Sequence, residues 1–175
     1  MLLDTGLLIL RLVLGVVFVG HGAQKLFGWF GGGGLKGTTG WIGSMGIRPA
    51  WFWAFMASIS EFGGGVLLLL GFLNPLGSLG VTAAMLMAIA KVHWTKGFWS
   101  AKGGYEFPLI NLAAALAIGF IGAGAFSLDG ILGIALPEPI TLIVGLVVVL
   151  LGVVSALLSE APKTVPAAQA QPNKS

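Results

Sequence analysis

The chain has 175 residues, of which 57% are hydrophobic and only 9% are charged. A soluble domain carries about 25% charged residues, so we expect an integral membrane protein instead. The net charge of +3 does not indicate a nucleic-acid-binding protein, because the basic residues are spread among apolar segments. The chain contains no cysteine, which excludes disulfides and thiolate-ligated metal sites within it.

Five apolar runs of about twenty residues predict five membrane-spanning helices. We expect these spans at residues 7–27, 51–73, 76–94, 107–126 and 140–158. The predicted fold is all-α: a polytopic bundle with a four-helix core and a fifth C-terminal helix packed outside it. The expected divisions are a four-span bundle at 1–130, an outer loop with the fifth helix at 131–158, and a disordered tail at 159–175.

The segment between the first two spans is rich in glycine and predicts a flexible loop along the membrane surface. Its spaced glycines at 32, 34 and 37 formally match a dinucleotide fingerprint, but a membrane helix precedes them where a strand is required. Trp41, Ile42, Met45 and Ile47 are expected to contact lipid or protein. All six tryptophans flank this side of the membrane, which favours either anchoring in the interface or a docking surface for a partner subunit.

The basic residues predict the orientation in the cell membrane. With five spans, the loops after the first and third spans lie on the same side as the C-terminal tail. Eight of the nine lysines and arginines fall on that side. Arg11 lies toward the other side, where snorkelling to the surface is sufficient to explain it and where Asp4 or Asp129 is within reach of it. The positive-inside rule therefore predicts a C-terminus in the cytoplasm and an N-terminus outside.

Polar side chains fall inside the first two spans. His21, Gln24 and Lys25 share one helical face, because they follow at positions i, i+3 and i+4. Glu61 lies at a comparable depth in the second span, and an isolated carboxylate in hydrocarbon would cost several kcal/mol. We predict that Glu61 contacts His21 directly, through Gln24 or through a water, aided by the small residues nearby. The alternative is a polar clasp between two helices that carries no chemistry.

Several separated motifs resemble the DoxX family. They are Gly-His-Gly-Ala-Gln-Lys-Leu-Phe-Gly at 20–28, Glu61 before the glycines of the second span, and Gly-Tyr-Glu-Phe-Pro at 104–108. Ser-Leu-Asp at 127–129 fits the same pattern, so the resemblance covers about residues 5–130. It implies a four-span membrane protein related to the small subunit of thiosulfate:quinone oxidoreductase, in a group associated with membrane redox complexes.

The resemblance also implies which residues form the site. His21 and Glu61 are the candidate catalytic proton acceptors. The candidate quinone-binding or polar-cluster residues are Gln24, Lys25, His93 and Glu106. No metal site is expected, and the candidate cofactor is a quinone, since the chain carries no intrinsic one.

Three functions stay open at this point. The chain is interpreted first as a membrane subunit of a quinone-linked oxidoreductase or respiratory complex, in contact with lipid and with other subunits. It has no redox centre of its own, so whether it is itself an enzyme is left open. The second interpretation is a non-catalytic anchoring subunit. A small proton-coupled transporter ranks last, because no inverted repeat is visible.

Overall fold

The computed structural model describes residues 1–137 and 139–161, and this part of the chain is helical. Seven α-helices follow one another: α1 Leu2–Leu26, α2 Gly34–Ser44, α3 Ala50–Leu70, α4 Leu76–Met87, α5 Glu106–Ile121, α6 Leu128–Leu132 and α7 Ile140–Leu158. Helix α4 continues without a break into a π-helical segment, Ala88–His93, and a 3-10 turn, Trp94–Lys96. The prediction of an all-α bundle is therefore confirmed.

Four helices are long and apolar enough to cross a membrane. They are α1, α3, α7 and the continuous segment Leu76–Lys96. Helix α5 is apolar but has only 16 residues, or about 24 Å, which is less than the roughly 30 Å of a hydrocarbon core. The predicted fourth span extended to residue 126. That length is wrong, because the helix ends at Gly122, whose φ of 102° lies outside the helical region.

Helix α3 lies between α1 and α4, and glycines bring the three backbones close together. A Cβ added at Gly65 would come 2.6 Å from the backbone nitrogen of Val19 on α1. One added at Gly64 would come 3.2 Å from the backbone nitrogen of Val81 on α4. Small residues at such contacts are typical of membrane helices, which cannot associate through the hydrophobic effect. Helices α5 and α7 both pack on α4.

The segment predicted to be a flexible loop contains the helix α2. Glycine at every third position from 34 lowers its helix propensity, and this concealed the helix in the sequence. Tertiary contacts stabilise it instead: Ile42 is buried, and the Thr38 hydroxyl donates to the carbonyl oxygen of Lys25 at 3.1 Å. Helix α2 thus lies across the ends of α1 and α3. We call this end of the bundle the α2 end, and the opposite one the α6 end.

The residues that follow α7 are attached to the α2 end. The backbone nitrogen of Arg48 donates to the carbonyl of Ser159 at 3.2 Å, and that of Ala161 donates to the carbonyl of Gly46 at 2.9 Å. The prediction of disorder from residue 159 is therefore wrong for 159–161. For residues 162–175 the prediction lies outside the described residues.

Candidate functional site

Glu61 forms a salt bridge with Lys25 across the contact between α3 and α1. The Glu61 side chain is 6% exposed and the Lys25 side chain 27%. The two helices are close here because Gly22 lies against the backbone of Phe62, which a Cβ at position 22 would overlap. The Glu61 atom Oε2 has no hydrogen-bond partner within residues 1–137 and 139–161. Glu61 is thus a buried carboxylate that is paired with a partly exposed lysine and has one oxygen without a partner in the described residues.

His21 is not the partner of Glu61, so the predicted contact between these two residues is wrong. The His21 side chain is exposed on the surface of the bundle. Lys25, not His21, is hydrogen-bonded to Glu61. The reason is the rotation of α1 about its axis. Gly22 faces α3, and an adjacent position on an α-helix is turned by about 100°.

Gln24 stabilises the turn that follows α1 instead of joining Glu61. Its Nε2 donates to the carbonyl of Phe30 at 3.2 Å. The backbone of Gly32 also lies against Gln24, because a Cβ at position 32 would overlap the Gln24 carbonyl. The structure therefore gives this predicted binding residue a local contact at the α2 end.

His93 and Glu106 hold together the loop between α4 and α5. His93 Nδ1 lies 2.6 Å from the carbonyl oxygen of Gly103. Glu106 Oε2 accepts a hydrogen bond from the backbone nitrogen of Ser100 at 2.9 Å. The residues predicted to form one cluster therefore lie apart. Lys25 pairs with Glu61, while Gln24, His93 and Glu106 each bind backbone groups of nearby loops.

A partly open cavity of about 450 Å³ lies beside the Lys25–Glu61 pair and is lined by residues of α1, α2, α3, α4 and α7. Its wall is mainly apolar, and its few polar side chains are Lys25, Ser60, Glu61, Lys91 and Ser155. Small-molecule sites typically measure roughly 300–1,000 Å³ and combine apolar walls with a few polar groups. By volume and lining, this cavity is the candidate ligand site of the described chain.

Sequence reasoning missed two parts of this cavity. One is Lys91, which lies in the π-helical segment and forms a salt bridge of 2.6 Å with Glu160. Short π segments occur frequently at functional sites. The other is α7, which was expected to pack outside the core but lines the cavity. A signal for this contact was present in the sequence. Gly145 and Gly152 are seven residues apart, which places both on one face of the helix.

A second polar cluster lies at the α6 end. Arg11 is buried rather than snorkelling, and its Nη2 donates to the carbonyl of Phe126. The Asp129 carboxylate accepts hydrogen bonds of 2.8 Å from the backbone nitrogens of Leu73 and Asn74. The adjoining cavity measures only about 10 Å³. Over the described ranges, no group of three or more His, Asp or Glu residues is arranged to hold a metal at either end.

The DoxX family model matches residues 6–94, slightly more than half of the chain. The match includes α1 to α4 with the π-helical segment, and therefore Lys25, Glu61 and Lys91. It ends before Glu106, α5 and α7, although the resemblance was expected to continue to residue 130. No curated protein and no solved structure matches the chain. The chain is thus a polytopic helical membrane protein, and it belongs to the DoxX family.

Proposed function

We propose that this protein is the quinone-binding membrane subunit of an oxidoreductase complex, and that the quinone ring binds in the cavity beside Lys25 and Glu61. One observation carries the proposal: the buried Glu61 and its partner Lys25 line an apolar cavity of about 450 Å³, and Oε2 of Glu61 has no hydrogen-bond partner in the described residues. The resemblance to the small subunit of thiosulfate:quinone oxidoreductase is consistent with it. The proposal replaces His21 with Lys25 as the partner of Glu61.

The residues present fit a quinone. Its flat ring and isoprenoid tail require an apolar surface, which Phe52, Trp53 and Met56 of α3 help to provide. Its ring oxygens require polar partners, and Lys25 can donate a hydrogen bond while Glu61 Oε2 can accept one. When bound, the quinone supplies two-electron, two-proton chemistry.

The chain's own part in that chemistry is to position the ring and to exchange a proton. Glu61 Oε2 accepts a proton from a ring hydroxyl or returns it, and Lys25 compensates the carboxylate charge while the proton is absent. The chain offers no cysteine to ligate an iron–sulfur cluster. We therefore assign electron transfer to a redox centre on another subunit.

The test is quinone binding to the purified protein in lipid nanodiscs. Trp41 and Trp53 line the cavity, so a short-tailed benzoquinone should quench tryptophan fluorescence saturably. Because hydrogen bonds to charged groups contribute about 1.5–3 kcal/mol, Glu61→Gln should weaken binding about tenfold or more. His21→Ala is the matched control and should bind like the wild type. Non-saturable quenching of the wild type, or unchanged affinity in Glu61→Gln, would reject the proposal.

We also propose that the α2 end faces the cytoplasm. Six described basic residues lie at that end: Lys25, Lys36, Arg48, Lys91, Lys96 and Lys102. The positive-inside rule places such a concentration in the cytoplasm. Since the chain has no cysteine, Lys36→Cys creates a single label site. This site should react with an impermeant maleimide only after the cells are opened, and labelling of intact cells would reverse the orientation.

An anchoring role in a larger complex is the second candidate. The observation in its favour is a set of aromatic side chains at the α2 end that are more than half exposed: Trp29, Phe30, Trp94 and Trp99. In that case the Lys25–Glu61 pair only holds α1 and α3 together. Glu61→Gln should then lower the melting temperature, and neither the wild type nor the variant should bind quinone saturably. Purification in mild detergent discriminates further, because an anchoring subunit should copurify with its partners.

A further inference from the structure

The cavity is closed on one side by α7, which lies outside the residues matched by the family. We propose that α7 is the ligand-selecting wall of the cavity and that Gly152 sets the width available to the quinone ring. This inference rests on the proposed quinone site and adds to it a specificity-determining residue. It assigns a role to the fifth span, which the sequence left unexplained.

Helix α7 is held against the bundle on both sides of Gly152. Toward the α6 end, Gly145 contacts α4 so closely that a Cβ there would overlap Leu79. Toward the α2 end, Ala156 is buried, and Glu160 beyond the helix pairs with Lys91 at 2.6 Å. The position of the helix is therefore fixed by its neighbours.

Gly152 faces the bundle and yet meets no neighbour. It follows Gly145 by seven residues, so the two positions point in directions only about 20° apart. A Cβ built at Gly152 has no contacting atom within 4 Å outside the helix's own backbone and its chain neighbours. Gly152 also lines the cavity, so the open space beside it is the cavity itself. A larger side chain at this position would enter the cavity without displacing backbone.

The chemistry of the α7 wall indicates how it selects. Of its five lining residues only Ser155 is polar, while Val149, Val153 and Ala156 are apolar. A mainly apolar wall distinguishes ligands by the width and the apolar surface of their rings. The hydrogen bonds to the ring oxygens come from Lys25 and Glu61 instead. Ring width is therefore the property that Gly152 controls, and a two-ring naphthoquinone should be affected more than a one-ring benzoquinone of the same tail length.

The experiment compares Gly152→Ala and Gly152→Leu with Gly20→Leu, a control at an open helical glycine on α1 away from the cavity. Because single methylene groups in apolar pockets change affinity by about tenfold or more, Gly152→Leu should weaken binding of both quinones at least tenfold. Gly152→Ala should weaken the naphthoquinone more than the benzoquinone. The melting temperature of both Gly152 variants should stay equal or rise, since the added atoms fill a cavity.

Two results overturn the inference, and they are distinguishable. If the wild type shows no saturable binding of either quinone, the proposed function fails and this inference fails with it. If the wild type binds, but a well-folded Gly152→Leu protein binds equally or both quinones are affected alike by Gly152→Ala, only the role of Gly152 fails. A folded state is verified by the melting temperature, so loss of binding through unfolding is recognised.

Discussion

The two ends of the bundle bury charged residues in different ways. At the α6 end, Arg11 and Asp129 bind backbone groups of the connecting segments, and the adjoining space is about 10 Å³, roughly enough for one water. At the α2 end, Lys25 and Glu61 bind each other beside a cavity of about 450 Å³. The contacts at the α6 end hold the connecting segments between the helices in place. The arrangement at the α2 end leaves room for a ligand.

Unpaired polar atoms alone do not separate these two clusters. Arg11 Nε and Nη1 lack hydrogen-bond partners within the described ranges, and so does Glu61 Oε2. The volume of the cavity that each residue lines makes the difference, about 450 Å³ at Glu61 against about 10 Å³ at Arg11, since a ligand needs space as well as a polar partner. The open packing beside Glu61 is therefore what makes the α2 end, rather than the α6 end, the candidate site. Variants at the two ends should accordingly affect different properties.

The largest effect on stability is expected from Asp129→Ala at the α6 end. It leaves the backbone N–H groups of Leu73 and Asn74 without their carboxylate acceptor, at about 1–3 kcal/mol each, and removes negative charge near Arg11. We expect a loss of roughly 3–5 kcal/mol, measured by thermal unfolding in detergent. The quinone affinity of the folded protein should not change.

Asp129→Asn is the matched control, because it retains one acceptor oxygen and should lose about half as much stability. A tenfold loss of quinone affinity in either variant, measured at a temperature where the protein is folded, would contradict the separation of the two ends.

The next effect is expected from Lys25→Met at the α2 end. This change leaves the Glu61 carboxylate buried without its counter-charge. Removal of one partner of a fully buried pair costs about 3–5 kcal/mol, and we expect roughly 2–3 kcal/mol here because Lys25 is partly exposed. Thermal unfolding measures the loss of stability, and tryptophan quenching measures the accompanying loss of quinone binding.

The double variant Lys25→Met/Glu61→Met distinguishes a site from a clasp. Apolar side chains of similar size often replace a buried ion pair with no loss of stability. We therefore expect the double variant to recover the melting temperature of the wild type while quinone binding stays absent. Wild-type affinity in the double variant would exclude the pair from the binding site.

The sequence was sufficient for properties that depend on one segment at a time. Hydrophobicity summed over about twenty residues predicted the helical membrane class, and the predicted fifth span at 140–158 coincides with α7, Ile140–Leu158. Helix α2 was missed because its glycines disfavour a helix in isolation, while burial of Ile42 and the hydrogen bond from Thr38 stabilise it in the folded chain.

The partner of Glu61 could not be predicted, because it depends on how α1 is rotated against α3. His21 and Lys25 lie one turn apart, and both reach the correct depth. The contact of Gly22 with Phe62 decides between them. The cavity has even less local signal, since five helices contribute to it and α7 is distant from the others in sequence.

The smallest effect should come from the glycine contact that orients α1, and it connects packing with binding. A Cβ at Gly22 would overlap the Phe62 backbone, so Gly22→Ala should separate α1 from α3 near Lys25 and cost roughly 1–2 kcal/mol by overpacking. Gly20→Ala, two residues earlier, has no contacting atom within 4 Å and should be neutral or slightly stabilising, because alanine favours a helix. Quinone affinity should fall in Gly22→Ala alone, since Lys25 moves away from Glu61. Equal losses in both variants would show that the α1–α3 contact does not orient the charge pair.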